Sequence, residues 1–439
     1  MEVHVEALLP GETAEVEIEH RSPHQPLAWA RIVSRIGDLS PDRVKPECPA
    51  YGSCGGCSLQ HLSYPAQVEA KRRRVARELG IGDVTVAAAP AELGYRNKGK
   101  YVVGQIADKL VLGSYRPGTH EVIDTIGCQV VEPAIDAMAV RVRDALAGSS
   151  LAIYDERTRT GQLRYVVIRT GLDGEVLVAI VTTPPVGSGV SPTNDAGRAR
   201  LARERRPASR AELDAIAARL PGAHGVVWVR NASTSGTVVT DDVVPLAGEP
   251  TVTEWVAGVA IEIGATEFFQ VNRAQANLLY NEVAAQVGAD SSRRAVDLYC
   301  GVGGISFALA SVGARVIGIE RQSAAVSAAN AAAARANLSD RVQFVAGTGK
   351  SLRGFDDPAP HIVVVNPPRK GLDPETRSAL ESVAPEIIAY VSCSPESLAR
   401  DMRDLVDYQL ESATAFDLMP GTPHIETLAI LRRRPAKDT

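Results

Sequence analysis

Three cysteines stand close together near residue 50 of this 439-residue chain. They follow the spacing Cys48-x5-Cys54-Gly-Gly-Cys57, and Cys128 is the next thiol along the chain. The glycine pair allows a tight backbone turn, so that the two flanking thiolates can converge on one centre. With six cysteines in all, such a cluster indicates a metal or iron–sulfur site rather than a disulfide scaffold. Spacing alone does not separate a [4Fe–4S] cluster from zinc, and four unligated thiols packed as small hydrophobic groups are a third possibility.

Two residues in the C-terminal third could act as a nucleophile and a base. Cys393 follows an apolar run and precedes Ser-Pro-Glu, a pattern typical of a helix N-terminus. The helix dipole at such a position lowers the pKa of a thiol and favours the nucleophilic thiolate, although a buried structural cysteine is an equal alternative. Glu426 interrupts an alternating apolar strand, where a carboxylate is either a buried base or an exposed edge residue.

A glycine-rich turn and two polar strand ends suggest a nucleotide-containing ligand. The run Cys-Gly-Val-Gly-Gly at 300–304 links an apolar strand to a helix, and Glu320 ends the next strand. Backbone amides at such a helix N-terminus and a carboxylate for ribose hydroxyls suit a dinucleotide or S-adenosylmethionine. Asn366 ends a third strand and is followed by Pro-Pro-Arg, which places a rigid donor and acceptor where a methyl group and a substrate would meet.

These candidate residues require particular elements to position them. From about residue 293, short apolar strands alternate with helical segments, which predicts a parallel, doubly wound sheet buried on both faces. Between about 95 and 242, short strands with helices near 133–147 and 210–220 predict a mixed antiparallel α+β domain. Residues 1 to about 45 alternate as two or three strands. A helix over 64–79 carries Lys71–Arg74, a run typical of a solvated helix face.

Composition restricts the class of protein. Hydrophobic residues make up 45% and charged residues 23% of the chain, which is typical of a globular protein. The net charge of −5 gives no overall attraction to nucleic acid, so RNA or DNA would have to contact local basic patches. We find no apolar run long enough for a membrane span and no signal peptide, and we expect a cytoplasmic protein.

Taken together, the motifs resemble those of the RNA uracil-C5-methyltransferases. The resemblance extends over almost the whole chain and is carried by the motifs DLYCGVGG, NPPRKG, VSCSPES, PHIETLAIL and FFQVN, together with Glu320 and the cysteine pattern. The GVGG and NPPR spellings are closer to the iron–sulfur-containing 23S rRNA enzymes than to the tRNA enzyme.

The resemblance implies a three-part multidomain α/β architecture. A partial TRAM-like (OB-type) β domain would span 1–47, and an iron–sulfur segment with a central RNA-binding domain would span 48–250, with a mobile insertion at about 187–210. A Rossmann-like class I methyltransferase domain would span 251–439.

The resemblance also implies a role for each candidate residue. Cys393 would be the nucleophile that adds to C6 of uracil, and Glu426 the base. S-adenosylmethionine would contact Gln270, Tyr299, Glu320 and Asn366, while a [4Fe–4S] cluster, with zinc as the alternative, would be held by Cys48, Cys54, Cys57 and Cys128. The protein would act as a monomer on RNA, with 23S rRNA as the expected substrate, and without a membrane partner. Three other functions stay open: a tRNA uridine methyltransferase, an exocyclic-amine methyltransferase and a non-catalytic RNA-binding protein with a structural metal.

Overall fold

The structure is a computed structural model that describes residues 2–183, 206–233, 238–355 and 358–435. Most of the insertion predicted at about 187–210 lies outside the described residues.

The chain begins with a small three-stranded sheet in the order β1-β3-β2. Its strands are β1 (Glu2–Val5), β2 (Thr13–Arg21) and β3 (Leu27–Ile36). The predicted alternation is visible in β2, where exposed residues alternate with half-buried ones over most of its length. Three strands therefore form where two or three were predicted, and their assignment to a TRAM-type domain stays a prediction.

Helix α1 (Tyr64–Leu79) follows the cysteine-rich segment. Pro65 occupies its first turn, and Gly80 ends it in the left-handed conformation at φ 67°. The prediction of a solvated Lys71–Arg74 run is wrong for Lys71, whose side chain is only 2% exposed. One end of this basic run therefore belongs to the interior of the molecule.

The central sheet has seven strands in the order β11-β10-β9-β8-β5-β6-β7. They are β5 (Lys98–Ile106), β6 (Lys109–Tyr115), β7 (Val122–Asp124), β8 (Leu163–Thr170), β9 (Val176–Thr182), β10 (Gly225–Arg230) and β11 (Val243–Gly248). Only β9 and β10 pair in parallel; the other neighbours are antiparallel. Apolar residues of α2 (Pro133–Ala147) and α3 (Arg210–Ala217) share one core with this sheet. This arrangement agrees with the predicted mixed domain.

The C-terminal sheet has eight strands in the order β16-β15-β14-β17-β18-β20-β19-β4. They are β4 (Thr85–Ala87), β14 (Arg294–Leu298), β15 (Arg315–Glu320), β16 (Val342–Ala346), β17 (Ile362–Val365), β18 (Ile387–Ser392), β19 (Tyr408–Phe416) and β20 (Glu426–Arg433). A hairpin of β12 (Val252–Val256) and β13 (Val259–Ile263) precedes it. The helices are α4 (Arg273–Gln286), α5 (Gly304–Ser311), α6 (Ser323–Arg335), α7 (Pro374–Val383) and α8 (Pro395–Asp404), with a 3₁₀ helix at Gly349–Phe355.

Both faces of the C-terminal sheet are buried. Ile362 and Val364 of β17 belong to one apolar core together with residues of α4, α5 and α6. Val363 and Val365 point to the opposite core, which includes residues of α7 and α8. Alternate residues of one strand thus enter different cores, as the near-continuous apolar strands predict. The predicted doubly wound α/β fold class is confirmed.

One strand departs from the predicted domain boundaries. β4 lies within the region 48–250 that was assigned to the cysteine segment and the central domain, but it pairs in parallel with β19 at the edge of the C-terminal sheet. α1 packs beside it, since Val75 shares a small apolar core with Ala415 and Ile425. The segment from α1 to β4 therefore packs with the C-terminal sheet, while the boundaries at 47 and 250 stay a prediction.

Candidate active site and cysteine cavity

The carboxyl edge of the C-terminal sheet collects most of the predicted site residues. Tyr299 follows β14, Glu320 ends β15, Asn366 follows β17 and Cys393 follows β18. These four strands pair in parallel in the order β15-β14-β17-β18, so that their carboxyl ends lie side by side. Ligands bind at this edge in open α/β sheets. The sheet order thus runs from the predicted cofactor contacts to the predicted nucleophile.

The glycine-rich turn at 300–304 is held by Glu320. The Gly301 amide donates to Glu320 Oε2 at 3.2 Å, and the Gln322 amide donates to Oε1 at 2.9 Å. Gly303 precedes α5 with φ +93°, and a Cβ atom there would lie 2.5 Å from the Phe344 ring. Glycine is required at this position by both backbone conformation and space. The turn consequently presents backbone to a ligand at the start of α5.

Tyr299 shapes this turn in a way that the sequence does not reveal. Its backbone has φ +61°, an uncommon value for a residue with a side chain. Its hydroxyl donates to Asp373 Oδ2 at 3.2 Å and lies 3.0 Å from Thr376 Oγ1 at the start of α7. The tyrosine hydroxyl is therefore engaged by the protein, which leaves the ring and the main chain for a cofactor.

Gln270 reaches the site from a different part of the chain, the connection between β13 and α4. The residue is 6% exposed, and its main-chain carbonyl oxygen accepts a hydrogen bond from Asn97 Nδ2 at 3.2 Å. A Cβ atom on Gly301 would lie 3.9 Å from the Phe268 carbonyl oxygen, so this connection borders the glycine-rich turn. Phe268 is 66% exposed beside it. The structure thus brings the Phe-Phe-Gln motif to the predicted cofactor region.

Cys393 and Glu426 are juxtaposed by strand pairing. β18 and β20 are antiparallel, and Ser392 lies opposite Thr427. The next residue of each strand towards the carboxyl edge is Cys393 on one side and Glu426 on the other. A thiol and a carboxyl group therefore lie near each other at the end of this strand pair, and the Glu426 charge acts on the Cys393 thiol.

Burial raises the pKa of both groups. The pKa of the Cys393 thiol lies above its ordinary value because of burial and the nearby Glu426 charge, and Arg369 partly offsets this. Burial raises the pKa of Glu426 to about 8, again opposed by Arg369. The prediction that the helix terminus lowers the pKa of the Cys393 thiol is wrong in direction, because desolvation outweighs the favourable contributions.

Arg369 lies where its charge acts on both of these groups. Its guanidinium favours the ionised forms of both Cys393 and Glu426. Its Nη2 also lies 3.4 Å from Nε2 of His424, whose pKa is lowered by burial and by Arg369. The Pro-Pro-Arg run was the available signal, but only the fold shows which groups the arginine faces.

The four predicted metal-binding cysteines line one cavity of about 600 Å³. The cavity is also lined by the cationic residues Arg96, Lys98 and Lys100. The pKa of Cys57 is raised to about 11 by burial and by the neighbouring thiols, and burial also raises the pKa of Cys128.

The thiols share this cavity without a completed ligand geometry. Within residues 2–183, 206–233, 238–355 and 358–435, no group of three or more His, Cys, Asp or Glu side chains is arranged to hold a metal ion. The four thiols are of the right type and share one cavity, as a site that binds a metal through thiolates requires. The cluster itself stays a prediction.

The described part of the chain contains no helix that is both long and apolar enough to cross a lipid bilayer.

Comparisons with known proteins agree on one type of activity. Residues 260–434 match the family model described as tRNA (Uracil-5-)-methyltransferase. An uncharacterized RNA methyltransferase of Halalkalibacterium halodurans is 30% identical over 436 residues, which cover 96% of this chain and 90% of the relative. A second one, of Thermosynechococcus vestitus, is 32% identical over 440 residues, with 98% and 92% covered.

A solved structure is similar over nearly the whole length of the chain. The tRNA (uracil-54, C5)-methyltransferase of Pyrococcus abyssi, in complex with S-adenosyl-L-homocysteine, has a TM-score of 0.76 and 27% identity. The match covers 98% of this chain and 94% of that one.

Proposed function

The chain belongs to the RNA uracil-C5-methyltransferase family, and on that basis we propose that it methylates C5 of a uridine in 23S rRNA through a covalent adduct of Cys393. The observation that carries the mechanism is the pairing of Ser392 with Thr427, which sets Cys393 against Glu426 at the carboxyl edge of the sheet. A methyltransferase acting on an exocyclic amine would need neither the thiol nor the carboxylate. Family membership likewise argues against a non-catalytic RNA-binding protein.

S-adenosylmethionine supplies the methyl group as an electrophilic sulfonium compound. Its ribose would be held by Glu320, and its amino-acid part by the backbone at 300–304. Gln270 would be a further contact to the cofactor, and Asn366 would lie between the cofactor and the uracil. The partly exposed Glu320 carboxylate already receives two amide hydrogen bonds. These bonds orient the carboxylate, which would accept hydrogen bonds from the ribose hydroxyls.

Cys393 makes the uracil reactive. Uracil C5 is a weak nucleophile, and addition of the Cys393 thiolate to C6 shifts an electron pair through the conjugated carbonyl to C5. C5 then forms its bond to the methyl group. Glu426 removes the C5 proton as a general base, and the electron pair expels Cys393 to restore the C5–C6 double bond. Arg369 would stabilise the thiolate before addition and the carboxylate before proton removal.

The uracil has to leave its stack to reach this edge of the sheet. Phe268, which is 66% exposed beside the glycine-rich turn, offers a ring for the extruded base.

The substrate is tested with purified protein and S-adenosylmethionine carrying a labelled methyl group. We expect 5-methyluridine in 23S rRNA transcripts, identified by nucleoside mass spectrometry, and little in tRNA transcripts. The tRNA substrate is the second candidate, because the similar Pyrococcus abyssi enzyme acts on uracil-54 of tRNA. Label only in tRNA would transfer the proposal to that substrate, and label on an adenine or cytosine amine would refute uridine methylation.

We further propose that Cys48, Cys54, Cys57 and Cys128 hold a [4Fe–4S] cluster. Their common cavity supports this, as does the family resemblance. Anaerobically purified protein should contain about four irons and four sulfides per chain. One tightly bound zinc per chain, without sulfide, would favour the alternative metal.

A further inference from the structure

One face of α1 carries a polar stripe that contacts the chain leading to Glu426. Gln67, Lys71 and Arg74 follow the i, i+4, i+7 spacing, which places them on the same side of the helix. Gln67 is 3% and Lys71 2% exposed, although both are polar. They face residues 417–425, which connect β19 to Glu426 at the start of β20.

Lys71 and Gln67 bind the first half of the 417–425 segment. Lys71 Nζ donates to Asp417 Oδ1 at 2.7 Å and to the Met419 carbonyl at 3.2 Å. Gln67 Oε1 accepts from the Gly421 amide at 2.8 Å. These bonds compensate the buried ammonium and satisfy backbone groups in a segment that has no helix or strand of its own.

Arg74 links both sides of the reaction centre. Its Nη1 donates to the Pro423 carbonyl at 2.9 Å, three residues before Glu426. Its Nε and Nη2 donate to Glu396 Oε1 at 2.9 and 2.6 Å. Glu396 lies in the first turn of α8, three residues after Cys393. One guanidinium group therefore contacts the chain segments that carry the nucleophile and the base.

We propose that Gln67, Lys71 and Arg74 are positioning residues that fix Glu426 relative to Cys393 for removal of the C5 proton. This inference rests on the proposed function. α1 follows the cysteine segment, and Leu59 of that segment also donates from its amide to the Gly421 carbonyl at 2.8 Å. Proton removal thus depends on an element outside the ordinary methyltransferase sheet.

The proposal predicts a defect in one step rather than in all steps. Methyl transfer requires Cys393, Asn366 and the cofactor region, whereas elimination requires Glu426 in the correct place. A displacement of about 1 Å in a catalytic group can cost about 100-fold in rate. Loosening the 417–425 segment should therefore trap methylated RNA on Cys393.

The test is single-turnover methylation of uridine RNA by the full-length protein, with the covalent complex and released RNA separated on denaturing gels. In Lys71→Met and Arg74→Gln we expect elimination to slow by at least about 10-fold, while formation of the methylated complex changes by less than about 3-fold. Arg74→Lys should recover part of the elimination rate because it restores a cation. Arg77→Gln is the matched control, since Arg77 is 73% exposed and pairs with Glu78 on the same helix.

Failure of the inference can be told apart from failure of the proposed function. Glu426→Gln serves as the reference, because it should trap the methylated complex if the mechanism is right. If Glu426→Gln traps the complex but Arg74→Gln behaves like Arg77→Gln, or loses complex formation and elimination in equal proportion, the positioning role is wrong. If Glu426→Gln traps nothing, the proposed mechanism itself fails. Arg74 is partly exposed, so that its variant serves as the test should Lys71→Met not fold.

Discussion

In the proposed mechanism Cys393 and Glu426 must both lose a proton before they can act, yet both lie where burial favours the neutral form. Arg369 is the cation that opposes this effect at both groups. The proposed mechanism consequently depends on a balance between desolvation, which raises the pKa of both groups, and one arginine that partly offsets this effect.

This balance predicts that release of the methylated RNA becomes faster as the pH rises. The thiolate and the carboxylate are the reactive forms, and Glu426 has its pKa raised to about 8. The single-turnover rate of RNA release from the methylated complex, which requires the Glu426 carboxylate, should therefore increase from pH 6.5 to beyond pH 8. Arg369→Gln should move the profile to higher pH by about one unit, because the variant lacks the opposing cation. A flat profile, or a shift of the variant to lower pH, would contradict this electrostatic account.

The same carboxyl group predicts a pH-dependent effect on stability. Since the pKa of Glu426 is raised from 4.5 to about 8 on folding, its contribution to stability is fully present below pH 4.5. That contribution is lost as the pH rises towards and through 8. Glu426→Gln should thus gain melting temperature relative to wild type at pH 8.5 and much less at pH 5, as measured by calorimetry. The exposed Glu381→Gln serves as the control, and an equal gain at both pH values would count against a raised pKa of Glu426.

At the scale of elements, the glycine-rich turn combines three constraints. Tyr299 takes a positive φ, Gly303 leaves room for Phe344, and Glu320 binds the Gly301 amide.

Gly303→Ala should accordingly weaken S-adenosylmethionine binding by at least about 10-fold and lower the melting temperature, because its Cβ would lie 2.5 Å from an aromatic ring. Calorimetric titration measures the affinity. Gly82→Ala is the control, since a Cβ there meets no atom within 4 Å, and equal effects of the two substitutions would refute the steric argument.

The sequence predicted elements well where a local pattern decides the outcome. The helix at 64–79 and the C-terminal strands follow apolar periodicity and turn residues, and they form where predicted. The pattern could not show that β4 joins β19, because strand pairing over hundreds of residues leaves no local signal. The basic run likewise predicted an exposed Lys71, because the local sequence does not show that the fold buries this residue against the distant Asp417.

The site itself was predictable only in part. Motif spelling identified Cys393 and Glu426 as candidates, but their facing positions follow from the register of β18 and β20. The direction of the Cys393 pKa shift was missed because desolvation depends on everything packed around the thiol. The effect of Arg369 on the pKa values of Cys393 and Glu426 could not be predicted from the sequence, because it depends on the groups that the fold brings near the arginine.

At the scale of the whole molecule, the segment that contains Cys48, Cys54 and Cys57 is joined to the C-terminal sheet in three ways. These are α1, β4 and contacts with the 417–425 segment. Gly421 lies close to Cys57, since a Cβ on Gly421 would be 3.6 Å from Cys57 Cβ. A cluster held by these cysteines would consequently stabilise more than its own loop.

Cys57→Ser should for this reason lower both the iron content and the melting temperature of the full-length protein. Elemental analysis and calorimetry under anaerobic conditions measure the two effects. Cys300→Ser is the matched control for iron content, because Cys300 does not line the cysteine cavity. Wild-type protein without iron or zinc, or a Cys57→Ser variant that keeps its full metal content, would show that these thiols bind no metal.

The central claim is that Cys393 forms a covalent bond to uracil C6 during methylation. Its most direct test is the reaction of the protein with S-adenosylmethionine and RNA that carries 5-fluorouridine at the target position. The C5 fluorine cannot leave as a proton does, so that elimination is blocked after methyl transfer. We predict a stable protein–RNA complex whose mass includes one added methyl group and whose cross-linked peptide contains Cys393, and no such complex with Cys393→Ala. A methylated product without any covalent complex, or a complex that persists in Cys393→Ala, would contradict the account.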